Sequence, residues 1–325
     1  MRILVTGGAG FIASHITAAY IKLGHKVVVV DSMHHGFKQN INPKAKFYQA
    51  DIRDLTAIRK IMQTEKPEII NHHAAIAEVV KSVTDPIPTL EVNVQGTVNL
   101  LLTGMEIKIK KFIFASTGGA IYGDPGKYPI SERVNPEPLS PYGLSKLLGE
   151  KCIEYYARVG KFNYTIFRYP NVYGPRQDPH GEAGVVAIFS EKIRQNVNPT
   201  IYGDGSKTRD YTYVADIVQA NVIGLKKGDH LTVNLGLGKE ISDQMVYDTI
   251  SANFKHAPTA KYKAVRTGEA LRSCLNARKA RAILNWKPKY NFKEGIKEYL
   301  KITSPSFPLL IGEGCLERKS RDRVR

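Results

Sequence analysis

Tyr142 and Lys146 have the side-chain types and the spacing of a proton-transfer pair. They are four residues apart, which puts both side chains on one face of a helix. A free tyrosine has a pKa near 10, and two nearby positive charges would have to stabilise its phenolate by roughly 4 kcal/mol to bring that pKa near 7. Such a phenolate can take a proton from a substrate hydroxyl while a hydride leaves the same carbon. By itself, this spacing is also typical of paired side chains on a helix surface.

Two hydroxyl side chains precede this pair in the sequence. Ser116 and Thr117 end a strand-like run, and Gly118 and Gly119 follow them directly. We expect Thr117, at the end of this run, to hydrogen-bond to the substrate hydroxyl, with Ser116 as the alternative. A strand-end hydroxyl upstream of the pair favours a catalytic interpretation over a surface pair.

The first thirty-one residues have the pattern of a nucleotide-binding unit. They read as a strand (2–6), a glycine turn, a helix and a second strand (26–31) that ends in Asp31. This order is typical of a βαβ unit that holds a dinucleotide. Gly7 permits the tight turn and Gly10 lets the backbone approach a pyrophosphate. The alternative is a turn that needs glycine and binds nothing, but here every part of the unit occurs in order.

The helix and the acid of this unit indicate which dinucleotide binds. The free N–H groups at the helix start would face the phosphates, where the helix dipole favours negative charge. Asp31 follows the turn by about twenty residues and is placed to accept hydrogen bonds from a ribose 2′-OH. Since its charge would repel a 2′-phosphate, the sequence predicts NAD rather than NADP.

Strand-like apolar runs alternate with helical stretches along the first two thirds of the chain. The runs lie near 2–6, 26–31, 46–49, 68–72, 111–116, 164–169 and 231–235. This alternation predicts an α/β fold, a Rossmann-type doubly wound parallel sheet with a smaller C-terminal α/β substrate region. Asp51 and Ile52 close the third strand, at the height of adenine contacts, and Ala74 and Ala75 follow the fourth, where a ring can lie flat on the backbone.

The domain organisation follows from changes in composition along the chain. We expect an NAD-binding domain over residues 1–170, with a return segment near 211–235. Residues 171–302 are less regular and predict a second, smaller region, interleaved with the first, that covers the carboxyl ends of the strands. Residues 303–325 are basic and have no clear period, which predicts a loosely ordered tail.

Composition and charge exclude several classes of protein. The longest apolar runs of the 325 residues are strand-sized, far below the roughly twenty residues that span a bilayer, and no signal-peptide pattern is present, so we expect no membrane partner. Three widely spaced cysteines favour a reducing, cytoplasmic location. His72 and His73 lack a third ligand at metal spacing, so we expect no metal. The net charge of +17 is spread along the chain without an aromatic–basic motif, which favours an anionic small ligand over nucleic acid.

Taken together, these motifs resemble the extended short-chain dehydrogenase/reductase family, and most closely its UDP-glucose 4-epimerases. The resemblance spans about residues 1–300 and also rests on Asn93-x-x-Gly96-Thr97 and on the segments 168–176, 201–205, 209–216 and 266–269. It implies NAD as cofactor, a UDP-sugar as substrate and a homodimer built from helices around 88–104 and 143–158.

The resemblance also assigns roles to individual residues. It implies cofactor contacts at Gly7, Gly10, Phe11, Ile12, Asp31, Asp51, Ile52, Ala74, Ala75, Asn93, Tyr142, Lys146 and Tyr169. It implies substrate contacts at Thr117, Tyr142, Asn171, Val185, Val186, Tyr202, Arg209, Arg266, Glu269 and Ser273. Arg209 and Arg266 would grip the diphosphate, because a planar guanidinium can pair with two oxygens. Tyr202 would line the uracil pocket, and Glu269 would accept from the uridine ribose.

The residues after Thr117 favour one reaction within this family. Related dehydratases have Asp-Glu there and decarboxylases need an extra acid, whereas this chain has Gly118 and Gly119, which cannot transfer protons. The expected reaction is therefore inversion of C4 of a UDP-hexose through a 4-keto intermediate. Ser273, at the position that limits sugar bulk, implies room for N-acetylated sugars as well. The alternatives are another nucleotide-sugar reaction (dehydration, decarboxylation or reduction) and a non-catalytic NAD- or nucleotide-binding protein.

Overall fold

The computed structural model describes residues 1–180, 184–265 and 271–303. The strands in this part of the chain are β1 (Arg2–Thr6), β2 (Lys26–Asp31), β3 (Lys46–Gln49), β4 (Ile69–His72), β5 (Lys111–Thr117), β6 (Asn163–Tyr169), β7 (Asn171–Tyr173), β8 (Thr200–Tyr202), β9 (Thr208–Arg209), β10 (Tyr211–Tyr213), β11 (Leu231–Asn234), β12 (Ile241–Ser242) and β13 (Lys261–Lys263).

The α-helices of the same residues are α1 (Phe11–Lys22), α2 (Leu55–Glu65), α3 (Val79–Thr84), α4 (Pro86–Leu90), α5 (Gly96–Glu106), α6 (Pro141–Gly160), α7 (Val185–Arg194), α8 (Val214–Gly224), α9 (Asp243–Ser251), α10 (Arg278–Leu284) and α11 (Phe292–Ile302). A π-helical turn, Glu91–Gln95, joins α4 to α5. None of the helices in these residues combines the length and the apolar character that crossing a membrane requires.

Seven strands form one parallel sheet in the order β11-β6-β5-β4-β1-β2-β3. All seven strands predicted from the sequence are confirmed, and β11 returns to the sheet from beyond residue 211. β1 pairs with β2 on one side and with β4 on the other, so the chain winds outward in both directions from β1. The crevice at this switch point is where such sheets bind their ligands.

The sheet is covered on both faces because successive side chains of its strands point to opposite sides. Ile3 and Val5 of β1 pack with residues of α1, α8 and α10, whereas Leu4 packs with residues of α2, α5 and α6. These three side chains are each at most 1% exposed. Apolar residues on both faces are expected for a buried parallel strand, and they explain the nearly continuous apolar runs in the sequence.

The second region lies beyond the carboxyl ends of β5 and β6 and consists of short strand pairs with three helices. β7 pairs with β10, β8 with β13, and β9 with β12. Side chains of α7, α9 and α11 form its own apolar core. The segment Ala277–Trp286, within the range predicted for substrate binding, instead packs on the main sheet. The domain boundaries stay predictions, and the tail lies outside the described residues except for Thr303.

Candidate active site

A cleft of about 620 Å³ follows the carboxyl ends of β1, β2 and β4, where the sequence predicts the dinucleotide. Gly7 forms the turn after β1 with φ +71°, and a Cβ at this position would lie 2.7 Å from the backbone nitrogen of Ala74. The turn therefore requires glycine for its conformation and for its close approach to the next loop. α1 begins at Phe11 with no side chain capping its N-terminus, so its first N–H groups suit a pyrophosphate.

Asp31, at the end of β2, lies in the wall of this cofactor cleft. Its carboxylate accepts hydrogen bonds from Ala9 N at 3.0 Å and from Met33 N at 2.8 Å. These bonds hold the acid against the glycine turn and leave each oxygen a further lone pair for a ribose hydroxyl. The geometry fits the predicted contact with an unphosphorylated ribose.

Eight predicted cofactor residues line this cleft, namely Gly7, Gly10, Phe11, Asp31, Asp51, Ile52, Ala74 and Ala75. Asp51 also pairs with Arg53, which hydrogen-bonds to it and lowers its pKa. Ile52 packs against Gly96 of α5, where a Cβ would lie 2.5 Å from the Ile52 Cδ1 atom. The glycine inside that helix therefore allows close packing beside the adenine end of the cleft.

Asn93 does not line the cleft but braces the loop that does. Its side-chain amide bonds to Ile76 N at 2.8 Å and to Ile76 O at 2.9 Å, and it donates to Ser145 Oγ at 2.9 Å. Ser145 in turn donates to the carbonyl of Tyr142 at 2.7 Å. Asn93 therefore ties the cofactor loop to the first turn of α6, and its predicted contact with the cofactor stays a prediction.

A second cleft, of about 610 Å³, continues from the first. Ala77 and Gln177 line both, so a ligand in one cleft can meet a ligand in the other at this shared wall. The predicted site residues that line this substrate cleft are Thr117, Tyr142, Asn171, Val185, Tyr202 and Arg209. Lys192, Lys207 and Asp243 also line it, and the sequence did not single them out.

Tyr142 lies in the first turn of α6, which begins directly before it at Pro141 with Ser140 as its N-cap. Burial raises the pKa of Tyr142 to about 12, and a hydrogen bond with Thr117 opposes this rise. The sequence placed the starting pKa near 10, so the stabilisation that a phenolate needs is larger than expected. The structure thus joins Tyr142 to Thr117 directly, and the predicted contact of Thr117 with a substrate hydroxyl stays a prediction.

Lys146 is buried one turn further along α6. Its ammonium donates to the carbonyl of Ala115 at 2.9 Å and lies 4.9 Å from the centre of the Phe114 ring. Burial lowers the pKa of Lys146 to about 8, while Glu150 raises it. The side chain therefore stays largely protonated at neutral pH and supplies a buried cation one helical turn from Tyr142.

Ser116 points away from Tyr142, which leaves Thr117 as the hydroxyl in the cleft. The Ser116 hydroxyl donates to Glu150 Oε1 at 2.5 Å, and Glu150 accepts from Arg168 at 2.9 and 2.6 Å. Arg168 also donates to the Tyr122 hydroxyl at 2.7 Å. This buried network holds α6 against β5 and β6. Sequence reasoning missed Glu150, although its position four residues after Lys146 puts it on the same helix face.

Tyr169 is buried at the end of β6 and does not line either cleft. Its hydroxyl hydrogen-bonds to His73 Nε2 at 3.0 Å and accepts from Asn221 Nδ2 at 2.8 Å. His73 itself lines the cofactor cleft. Any contact of Tyr169 with the cofactor would therefore come through its backbone or through His73.

The remaining predicted substrate residues are placed in three ways. Val186 is fully buried in the core of the second region, whereas its neighbour Val185 faces the cleft. Ser273 is buried, and its Oγ lies 3.9 Å from the point where a Cβ of Gly119 would sit. Arg266 and Glu269 lie outside the described residues.

Predicted Ile12 packs on the main sheet rather than in the cleft. Only the backbone N–H of Ile12, in the first turn of α1, is therefore available to contact the cofactor. Among the described residues, no group of histidine, cysteine and acidic side chains could hold a metal ion.

Comparisons with known proteins agree with this geometry. The model of the NAD dependent epimerase/dehydratase family matches residues 3–236. A protein of Methanocaldococcus jannaschii described as a putative UDP-glucose 4-epimerase is 46% identical over 295 residues, covering 91% of this chain and 96% of that protein.

Solved structures show the same fold over nearly the whole chain. UDP-glucose 4-epimerase from Thermotoga maritima, solved with UDP-glucose, is 42% identical with a TM-score of 0.90, covering 93% of this chain and 98% of the other. The enzyme of the same name from Thermus thermophilus, solved with NAD, is 38% identical with a TM-score of 0.89 and the same coverage. A UDP-N-acetylglucosamine 4-epimerase from Methanobrevibacter ruminantium is 30% identical with a TM-score of 0.87, covering 92% and 97%.

The matched range includes the glycine turn and Asp31, which line the cofactor cleft, Tyr142, which lines the substrate cleft, and Lys146, which is buried one helical turn after Tyr142 and lines neither cleft. The chain therefore belongs to the NAD dependent epimerase/dehydratase family of extended short-chain dehydrogenase/reductases, and NAD is its cofactor.

Proposed function

We propose that this protein is an NAD-dependent epimerase that interconverts UDP-galactose and UDP-glucose by inverting C4 of the hexose. The observation that carries the proposal is the hydrogen bond between Thr117 and Tyr142 in the substrate cleft. It puts a proton acceptor and a hydroxyl-binding group together, close to the wall that the two clefts share. Relatives named UDP-glucose 4-epimerase support the choice of substrate.

Tyr142 acts as the general base for the 4′-hydroxyl of the sugar. NAD, when bound in the cofactor cleft, would supply the acceptor and donor of the hydride and a positive charge. Lowering the pKa of Tyr142 from about 12 to 7 requires about 7 kcal/mol. One cation at 4 Å supplies about 4 kcal/mol at an intermediate dielectric, so the Lys146 ammonium is needed as a second charge. Thr117 holds the hydroxyl oxygen while its proton moves to Tyr142.

The substrate cleft keeps the 4-ketose bound while the sugar rotates to present its opposite face. Arg209 and Lys207 line the part of the cleft that receives the diphosphate, and Tyr202 contacts the base. Because these contacts are remote from C4, they anchor the nucleotide without fixing the orientation of the sugar. Tyr142 then returns its proton to the oxygen after C4 has presented its opposite face, and the centre is inverted.

Dehydration and decarboxylation are disfavoured by the turn after β5. A Cβ at Gly119 would have Asn171 Oδ1, Ser273 Oγ and Thr117 Oγ1 as its nearest atoms, at 3.5, 3.9 and 3.9 Å. This position therefore faces the place where the reacting sugar would lie. A related dehydratase has a proton-transferring acid in this turn, and glycine offers none.

N-acetylated UDP-hexoses are a second candidate pair of substrates. Gly119 lines the substrate cleft and the buried Ser273 lies directly beside it; because both residues are small, they favour space beside the hexose. We propose that UDP-GlcNAc and UDP-GalNAc are also accepted. Comparison of kcat/KM for both pairs tests this, and no turnover of the acetylated pair would contradict it.

The deciding experiment is an epimerase assay without added NAD. The purified protein is incubated with UDP-galactose, and UDP-glucose is followed by chromatography. Tyr142→Phe should abolish conversion and keep the fold, whereas Tyr262→Phe, at an exposed tyrosine that lines neither cleft, should leave conversion unchanged. Conversion by Tyr142→Phe at the wild-type rate would disprove the assigned base.

We also propose that the protein forms a homodimer through the outer face of α6. Four apolar or aromatic side chains of this helix are 39–53% exposed, namely Leu144, Leu148, Tyr155 and Val159. Val83 of α3 and Ile87 of α4 are exposed as well, at 54% and 59%. A row of apolar side chains this long is typical of an interface. Light scattering should give twice the chain mass, and Leu148→Glu should shift it towards the monomer.

A further inference from the structure

Asp210 is a buried acid that the proposed chemistry leaves without a role. It lies between Arg209 and Tyr211, which both line the substrate cleft, but it does not line the cleft itself and is only 1% exposed. Successive residues of an extended chain point to opposite sides, so the Asp210 carboxylate lies behind the cleft wall. Burying a carboxylate costs free energy unless hydrogen bonds compensate it.

The Asp210 carboxylate accepts hydrogen bonds from two separate backbone segments. Leu237 N donates to one oxygen at 2.9 Å. Gly238 N and Leu275 N donate to the other, at 2.9 and 3.2 Å. In addition, the carbonyl of Asp210 accepts from Asn171 N at 2.9 Å. One residue therefore joins the strand pair β7–β10, the turn at 236–238 and the segment 273–275.

The backbone at Gly236 packs so closely against the Asp210 carboxylate that only glycine fits at this position. A Cβ at Gly236 would lie 2.5 Å from Asp210 Oδ2. Burial raises the pKa of Asp210 to about 6, and the three N–H groups oppose this rise. The acid is thus enclosed by backbone that it holds in place.

The segment held by Asp210 packs against the turn at 117–119, of which Thr117 and Gly119 line the substrate cleft. Leu275 is fully buried against Gly118, where a Cβ would lie 2.3 Å from the Leu275 Cδ1 atom. Two residues earlier, Ser273 lies beside Gly119 and donates from its backbone to Thr208 O at 3.2 Å. The position of this segment relative to the turn at 117–119 therefore determines the width of the cleft beside that turn.

We propose that Asp210 is a positioning residue whose carboxylate holds segment 273–275 against the turn at 117–119 and so sets the fit of the hexose. The inference rests on the proposed UDP-hexose substrate. An amide in place of the carboxylate presents N–H groups to at least one of the three backbone donors, so one bond is lost. The hexose should then bind less tightly, while the UDP part, held by other walls, should be little affected.

The test compares Asp210→Asn with Asp216→Asn as a matched control. Asp216 is also buried, accepts backbone hydrogen bonds from Lys289 and Tyr290 at 2.7 and 3.3 Å, and lies outside the cleft. Calorimetry on the NAD-containing protein measures Kd for UDP and for UDP-glucose. Asp210→Asn should raise the Kd of UDP-glucose about tenfold and that of UDP less than about threefold. Asp216→Asn should leave both within about threefold, although both variants lower Tm.

Three results with the two variants would overturn the inference: an unchanged Kd of Asp210→Asn for UDP-glucose, equal weakening of UDP binding, or the same weakening in Asp216→Asn. If Asp210→Asn does not fold, Leu275→Val tests the same contact from its other side, with an expected three- to tenfold rise in the Kd of UDP-glucose and none for UDP. Wild type that binds UDP-glucose no more tightly than UDP would also overturn it. Wild type that binds the sugar but does not epimerise it would contradict only the proposed function.

Discussion

The cofactor cleft and the substrate cleft are nearly equal in size, at about 620 and 610 Å³, but the chain builds them differently. The cofactor cleft is made mainly from the loops that directly follow β1, β2, β3 and β4. The substrate cleft combines segments that are far apart in sequence, from residue 77 to residue 243. The shape of the cofactor cleft depends on glycines and strand ends. The shape of the substrate cleft depends on carboxylates and other side chains that join segments far apart in the sequence.

This difference teaches where each cleft is vulnerable. The glycine turn of the cofactor cleft cannot accept a side chain, because backbone atoms already occupy the space. At Gly119 in the substrate cleft, an added Cβ would make only ordinary contacts. A single substitution in the glycine turn should therefore cause a large loss of cofactor binding, whereas a substitution in the substrate cleft should change substrate binding only slightly.

Lys146→Met should have the largest effect, because it removes the buried ammonium one helical turn from Tyr142. The phenolate of Tyr142 loses one of its two cations, and we expect kcat to fall by about 10²- to 10⁴-fold with the fold intact. Lys151→Met removes an exposed lysine of the same helix, paired with Glu154, and should leave kcat unchanged. Steady-state kinetics with UDP-galactose measures both. A Lys146→Met enzyme at wild-type kcat would contradict the role of the ammonium.

Gly7→Ala tests the abrupt failure of the cofactor cleft. The residue has φ +71°, and the new methyl group would lie 2.7 Å from Ala74 N, so the turn must move. We expect the affinity for NAD to fall by roughly 100-fold, which corresponds to about 2.7 kcal/mol. Bound NAD in the purified protein is measured by absorbance after denaturation. Retention of a full complement of NAD would show that the turn tolerates a side chain.

Gly118→Ala and Gly119→Ala form a neighbouring pair in the substrate cleft. The first puts a methyl group 2.3 Å from Leu275 Cδ1 in the buried core, and we expect a loss of roughly 1–3 kcal/mol in the free energy of unfolding. The second fits without displacing atoms and should leave Tm unchanged while it raises KM for the UDP-sugar a few-fold. Denaturant unfolding and kinetics distinguish the two. Equal stability of both variants would contradict the close packing assigned to Gly118.

The smallest expected effect concerns a contact that joins the two regions. His15 of α1 hydrogen-bonds through Nε2 to the carbonyl of Pro175 at 2.8 Å. Burial lowers the pKa of His15 to about 4, and Arg176 acts in the same direction. The unfolded chain, with a pKa near 6.5, therefore binds a proton that the folded protein excludes between pH 6.5 and 4.

It follows that the stability due to neutral His15 is fully present above pH 6.5 and is lost as the pH falls towards 4, by roughly 1–3 kcal/mol. His15→Gln keeps a side-chain N–H for Pro175 but cannot bind that proton, so its Tm should fall less between pH 7 and 5 than that of wild type. Thermal unfolding across this range is the measurement. Parallel curves for the two proteins would contradict the assignment.

The sequence predicted the seven-stranded sheet well because its signals are local. An apolar run has to be long enough for a strand, and the glycine turn has to follow β1 directly, so both can be recognised without knowing the fold. The pair of Tyr142 and Lys146 could be recognised for the same reason, because a spacing of four residues is about one helical turn. The order of the strands then puts these segments at one crevice.

The sequence alone does not show which of two adjacent residues faces a cleft when both have a suitable side chain. Ser116 and Thr117 are both hydroxyls, and only the position of Glu150 draws the first into the interior. Val185 and Val186 have the same side chain, and only the packing of α7 on the second core separates them.

The sequence by itself determined the sheet, the glycine turn and the placing of Tyr142 and Lys146 on one helix face, because each depends on residues close together in the chain. Only the tertiary structure decided the walls of the substrate cleft. Asp210 looks like any acid in its motif until the fold brings the N–H groups of residues 237, 238 and 275 to its carboxylate. Contacts between residues so far apart depend on how the whole chain packs, and no local pattern encodes them.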